Sequence, residues 1–112
     1  MVKKYCPGRG HVVWTNFSPT RGHEQSGRRP AIVISSTEYN ERSGLVLVCP
    51  ITSKTKSYPY EVTIKGGRVD GFILADQIQS IDWKVRRVSF IEVAGRGVVE
   101  EVEAKLLTLI QG

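Results

Sequence analysis

Two cysteines, one methionine and no apolar run longer than the five residues Leu45-Val46-Leu47-Val48-Cys49 are what this 112-residue sequence has least of. Each scarcity excludes something. A run that short cannot span a bilayer, which takes about 20 apolar residues. The start, Met1-Val2-Lys3-Lys4-Tyr5, leads into Pro7 and Gly8 instead of the apolar segment of a signal peptide. The sequence reads as a soluble, unexported protein. Two cysteines make no disulfide framework, and a domain of this size buries about two thirds of its unfolded surface in one core without staples. Cys49 reads as a small hydrophobe in an apolar strand, and free thiols fit the cytoplasm. Cys6, His11, His23 and Cys49 lack the CxxC or HxxxH spacing of a metal centre, so neither metal nor cofactor is expected. Acidic residues are scarce over most of the chain: residues 1–91 hold 14 Lys/Arg against 7 Asp/Glu, a balance of +7, whereas residues 92–112 hold 2 against 4, a balance of −2. A basic body of this kind suits a polyanionic partner, although a solvated basic surface would look the same.

What is present is a series of short apolar stretches with period two, punctuated by turn residues. Alternation predicts a strand over 11–17, opened by the Pro7-Gly8-Arg9-Gly10 turn, and another over 30–35. Ser35 with Glu38 behind it resembles a capped helix start, so Thr37–Arg42 is expected as a short helix ended by Gly44. Residues 45–51 are apolar on both faces and belong in the centre of a sheet. Residues 60–65 alternate, Gly66-Gly67 turn, 72–81 give one long or two short strands with Asp82-Trp83 at the exit, and 85–93 complete the sheet. Period then changes. Val99, Val102, Leu106, Leu109 and Ile110 fall on one helical face, with Glu100, Glu101 and Glu103 in the first turns, where the macrodipole favours anions. The expected fold is a single domain, mainly β with a C-terminal helix, arranged as a small antiparallel barrel or a strongly bent sheet.

Between the first two strands lies Gly22-His23-Glu24-Gln25-Ser26-Gly27-Arg28-Arg29-Pro30, a connection too long for an ordinary hairpin. Pro30 fixes its own φ and drives Arg29 towards an extended conformation, docking the end of the loop on the next strand. Antiparallel pairing of 30–35 with 45–51 sets the start of one strand beside the end of the other. Arg29 and Thr52 then share a sheet edge, with Glu24 on the loop above them. Such a trio suits cleavage of RNA through its ribose 2′-hydroxyl. An ionised Glu takes the proton, the Arg fork neutralises charge on the scissile phosphate, and a Thr hydroxyl donates to a further oxygen. Lys54, Lys56 and Arg28 are candidates for phosphate contacts, and Tyr58 for stacking on an unpaired base. His11 and His23 have no partner fixed by the sequence, and Trp14 and Trp83 read as core or interface aromatics.

The block GHEQSGRRPAIVIS (22–35), together with YN (39–40), PITSKTKSYPYEV (50–62) and LADQIQSIDW (74–83), resembles the MazF/PemK toxins of bacterial toxin–antitoxin systems. That resemblance spans roughly residues 5–90. It implies the SH3-like barrel of that family and a catalytic set carried over to Glu24, Arg29 and Thr52, with Thr20, Gln25 and Gln77 added to the RNA contacts. It further implies metal-independent cutting of single-stranded RNA to 2′,3′-cyclic phosphate and 5′-hydroxyl ends, a homodimer, and an antitoxin whose acidic segment fills the basic groove. Two departures, His11 after Gly10 and Asn16 where an Asp is common, remove negative charge near that groove and bear on base preference. The alternatives are a non-catalytic toxin like CcdB, whose close Trp-Gly-Ile is here Leu109-Ile110-Gln111-Gly112, or an SH3-like binding module.

Overall fold

Seven strands and two helices follow from these stretches in the computed structural model, which describes residues 5–17 and 27–112. In chain order they are β1 His11–Phe17, β2 Gly27–Val33, α1 Thr37–Ser43, β3 Leu45–Thr52, β4 Glu61–Ile64, β5 Gly71–Leu74, β6 Gln79–Asp82, β7 Ser89–Val93 and α2 Val98–Gln111. A single 3₁₀ turn, Ala75–Gln77, separates β5 from β6. Every strand pairing is antiparallel, in the order β4-β5-β3-β2-β1-β7, with β6 also on β3.

The apolar β3 is central because it needs partners along both edges. One edge takes β2, with Ala31 opposite Pro50 and Val33 opposite Val48. The other takes two strands in succession: Leu45–Val48 pair with β6, and Ile51 and Thr52 pair with β5. Residues 72–81 are thus two short strands, and the 3₁₀ turn between them is where the sheet bends. Pro30 is accommodated in β2 because the β2–β3 ladder begins at Ala31, so the start of β2 pairs with β1 alone.

Alternating side chains fill one core on each face of the sheet. On one face Val12, Ile32, Cys49, Ile51 and Ile73 meet Val99, Val102 and Leu106 of α2. On the other, Val13, Phe17, Ala31, Val33, Val46, Val48 and Ile81 surround Trp83. Full burial of each large apolar side chain stabilises by about 1.5–3 kcal/mol. Arg9 fastens α2 from outside: its guanidinium donates to the Ile34 carbonyl at 2.8 Å and lies 3.1 Å from the Glu103 carboxylate.

Several boundaries differ from the sequence expectation. Of the two architectures expected, the strongly bent sheet is the one found: the sheet is not closed into a barrel. At the open seam the Glu92 carboxylate accepts the Arg68 N–H at 2.9 Å and the Val69 N–H at 3.1 Å, side chain to backbone where a closed barrel would have a ladder. The last strand starts at Ser89, not 85, because Asp82 Oδ1 accepts the N–H groups of Lys84 and Val85, both at 3.0 Å, and curls 83–88 into a turn. The α1 cap is Ser36, whose hydroxyl accepts the Tyr39 N–H at 3.2 Å. Ser35 instead donates to Asn40 Oδ1 at 2.5 Å and accepts the Leu47 N–H at 2.9 Å. Finally, Leu109 and Ile110 lie outside the core, the latter 76% exposed, so only three of the five residues expected on the buried face of α2 are buried.

Candidate active site

Continuing the β2–β3 register two residues beyond Ala31 and Pro50 sets Arg29 opposite Thr52. The two line one cleft of about 580 Å³ with Ser53, Lys54, Thr55 and Lys56. Arg29 extends β2 into this cleft because Pro30 keeps the chain extended, and Thr52 ends β3 just before the chain turns polar. The Thr52 hydroxyl is largely buried and accepts the Lys54 N–H at 3.3 Å, which leaves its own proton to donate elsewhere. Glu24, Thr20 and Gln25, and His23 with them, lie outside the described residues.

The loop carrying the lysines is held by a residue that sequence reasoning passed over. Glu61, the first residue of β4, accepts the Thr55 hydroxyl at 2.5 Å and the Lys56 N–H at 2.6 Å. Thr55 Oγ1 in turn accepts the Ser57 N–H at 3.0 Å. Burial alone would raise the Glu61 pKa, but the hydrogen bonds from Thr55, Lys56 and Ser57 and the Lys56 charge outweigh it and hold the carboxyl below the usual range. Its signal in the sequence was slight: a lone acid at the end of a basic stretch. From the far side, the Lys105 ammonium of α2 donates to the Pro59 carbonyl at 2.6 Å.

The remaining candidates are spread more widely. Tyr58 donates from its hydroxyl to Asp76 at 2.5 Å and meets Tyr60 edge-on, with ring centroids 6.1 Å apart. Burial, followed by that bond and the charges of Asp76 and Glu61, raises its pKa well above the ordinary tyrosine value. Gln77 belongs to a separate recess with Asp76, Ile78 and Gln79. Arg28 is not in the cleft. It pairs with Asn16 on the strand where Arg29 pairs with Thr15, so the adjacent arginines project from opposite faces of the sheet. Of the three candidates for phosphate contacts, Lys54 and Lys56 line the cleft and Arg28 lies apart from them.

His11 has a structural setting. The Gly8 N–H, which can only donate, points at its Nδ1 from 3.1 Å, so that nitrogen accepts and the proton sits on Nε2. The Tyr5 hydroxyl lies 2.7 Å from the same atom, Phe90 meets the ring edge-on, and burial lowers the His11 pKa. Trp83 is core, with Nε1–H donating to the Asn40 carbonyl at 2.8 Å, whereas Trp14 is exposed. Burial, with the nearby Asp76 charge, pushes the Cys49 thiol up to about 12. Among the described residues no group of three His, Cys, Asp or Glu could hold a metal, and no helix is long and apolar enough to cross a membrane.

Residues 8–110 match the family described as PemK-like, MazF-like toxin of type II toxin-antitoxin system. The endoribonuclease toxin MazF of Escherichia coli K12 is 40% identical over 110 residues, covering 98% of this chain and 99% of that one. A crystal structure of MazF from Deinococcus radiodurans superposes with a TM-score of 0.92 at 46% identity, covering 97% of this chain and all of the other. A MazE–MazF crystal structure from the same organism matches at a TM-score of 0.84 and 42% identity, over 96% and 97% of the two chains.

Proposed function

The chain belongs to the PemK-like, MazF-like toxin family of type II toxin–antitoxin systems, and from that premise we propose that it is an endoribonuclease toxin that cuts single-stranded RNA at a short sequence without a metal ion. The observation that carries the reading is the cleft itself: Arg29 opposite Thr52 at one strand end, with Lys54 and Lys56 on the same wall. In this reading Glu24 takes the proton from the ribose 2′-hydroxyl. That oxygen attacks the adjacent phosphorus, and the bond to the 5′-oxygen breaks, leaving a 2′,3′-cyclic phosphate and a 5′-hydroxyl. Arg29 neutralises charge on the phosphoryl oxygens, and the free Thr52 proton is a neutral donor to one of them. Thr20, Gln25, Lys54, Lys56, Tyr58 and Gln77 bind the strand.

The toxin works in the cytoplasm as a homodimer and is silenced by an antitoxin whose acidic segment competes for the same lysines. Exposed Trp14 supports a subunit contact. The relative from D. radiodurans has been crystallised with MazE, which supports an antitoxin partner here. Incubation with a long RNA tests the reading. Cleavage is expected to survive excess chelator, to leave a DNA copy intact and to give cyclic phosphate ends. Glu24→Gln and Arg29→Ala should each cost at least ~10²-fold in rate, and Thr52→Ala less. Loss of activity with EDTA, or 5′-phosphate products, would overturn the mechanism.

A further inference from the structure

On the face of the sheet opposite the cleft, Arg28, Asn16 and Arg87 line a recess of about 340 Å³. The Arg28 guanidinium donates from Nη1 to Asn16 Oδ1 at 3.1 Å and to the Arg87 carbonyl at 3.2 Å, and from Nη2 to Ser89 Oγ at 3.1 Å. All three acceptors are neutral. They fix the orientation of the fork, and among the described residues no carboxylate pairs with it and two of its five N–H donors remain for a ligand. An arginine serving only as structural glue is usually met by a carboxylate, and among the described residues the recess is lined by none.

Arg87 adds a second, independent observation. Among the described residues every left-handed backbone position except two is a glycine, and the exceptions are Ser57 (φ 52°) and Arg87 (φ 55°). Glycine adopts that conformation at no steric cost, whereas a long side chain is strained there. Ser57 sits in the loop that walls the cleft. Arg87 closes the Asp82 turn, with its N–H donated to the Lys84 carbonyl at 3.2 Å and its carbonyl on Arg28, and the residue lines the recess. A position where glycine would be easier holds a cation beside a second, pre-oriented cation.

We propose that this recess is a second phosphate subsite, in which Arg28 and Arg87 hold a phosphodiester of the RNA strand away from the scissile bond. The inference rests on the reading of the protein as a ribonuclease and deepens it. Arg28 and Arg29 are neighbours on opposite faces of β2, so a strand crossing that end of the sheet is gripped by one arginine and cut beside the other. Planar guanidinium forks suit phosphate oxygens, and such contacts position the chain without reading its bases.

Binding of a fully 2′-O-methylated single-stranded RNA, which cannot be cut through its 2′-oxygens, tests the subsite apart from the chemistry. Arg87→Gly removes the guanidinium but keeps the carbonyl that holds Arg28, and it relieves the left-handed strain. It should weaken binding roughly tenfold and flatten the log–log salt dependence by about 0.7, without lowering the unfolding temperature. Arg87→Lys should retain most of the affinity. Asn16→Asp should weaken binding although it removes no cation, because its carboxylate would pair with Arg28. An Arg87→Gly protein matching wild type in affinity and salt slope overturns the proposal, as does one weakened towards an acidic peptide but not towards RNA. Cleavage of unmodified RNA is scored separately: its absence would sink the ribonuclease reading, while the binding difference would still decide the subsite.

Discussion

Thr15 is wholly buried opposite Arg29 in the β1–β2 ladder, and its hydroxyl has no hydrogen-bond partner among the described residues. A buried hydroxyl without a partner costs more than a methyl of the same shape. Thr15→Val should therefore raise the unfolding free energy by about 1 kcal/mol, read as a higher urea midpoint at unchanged slope. Glu61 is the opposite case, a carboxylate saturated with donors. Its folded pKa lies below its unfolded value of about 4.5, so the unfolded chain takes up the proton first as pH falls. The stabilisation is complete above that value and is lost as acid carries the pH down through the lowered one. Glu61→Gln should accordingly flatten the stability profile below about pH 4.5, and at neutral pH Glu61→Ala should raise the KM for RNA several-fold with little change in kcat, because Lys54 and Lys56 lose their frame. A parallel fall in kcat would count against that role. Arg29 and Thr52 were legible in the sequence because two apolar runs and one antiparallel pairing suffice to set them opposite each other. Glu61 was not, since its importance lies in two backbone and hydroxyl donors that only the folded loop brings to it.

At the scale of elements, the end of β3 is fixed by how closely β5 approaches it. A Cβ on Gly71 would stand 2.5 Å from the Thr52 carbonyl oxygen and 3.1 Å from Ile51 Cγ2, a clash with backbone that no rotamer relieves. Gly71→Ala should cost about 1–3 kcal/mol, followed by thermal unfolding, and should reduce cleavage by displacing Thr52. Retained stability and full activity would show that β5 can yield without moving the cleft. Strand existence was readable from alternation, but strand ends were not where a side chain set them. No glycine or proline announces the 83–88 turn; the Asp82 carboxylate makes it. The start of α1 at Thr37 was as expected, but its cap was misread for a similar reason, since Asn40 draws the Ser35 hydroxyl away and leaves Ser36 to cap. On α2 the helical period was correct, yet periodicity carries no information on where the sheet beneath a helix stops.

For the molecule as a whole, composition pointed to a basic surface and a polyanionic partner, and local pattern to a bent antiparallel sheet. Neither could say whether the sheet would close, because closure depends on how two strands distant in the chain meet in space. They meet through Glu92, which accepts the N–H groups of Arg68 and Val69. Glu92→Ala strips both donors of their acceptor and should lower stability by about 1–3 kcal/mol, measurable as a reduced urea midpoint; an unchanged midpoint would mean that solvent replaces the carboxylate without loss. The open seam also sets an order of events in thermal fluctuation. A continuous ladder has no weakest rung, but a seam bridged by side-chain-to-backbone bonds has a place to part. The β4–β5 hairpin can swing away while β1, β2 and β3 stay paired, so its amide protons should exchange with deuterium well before those of the central strands. Because Thr52 sits where β5 meets β3, that breathing would reach the cleft lined by Arg29 and Thr52 without unfolding it.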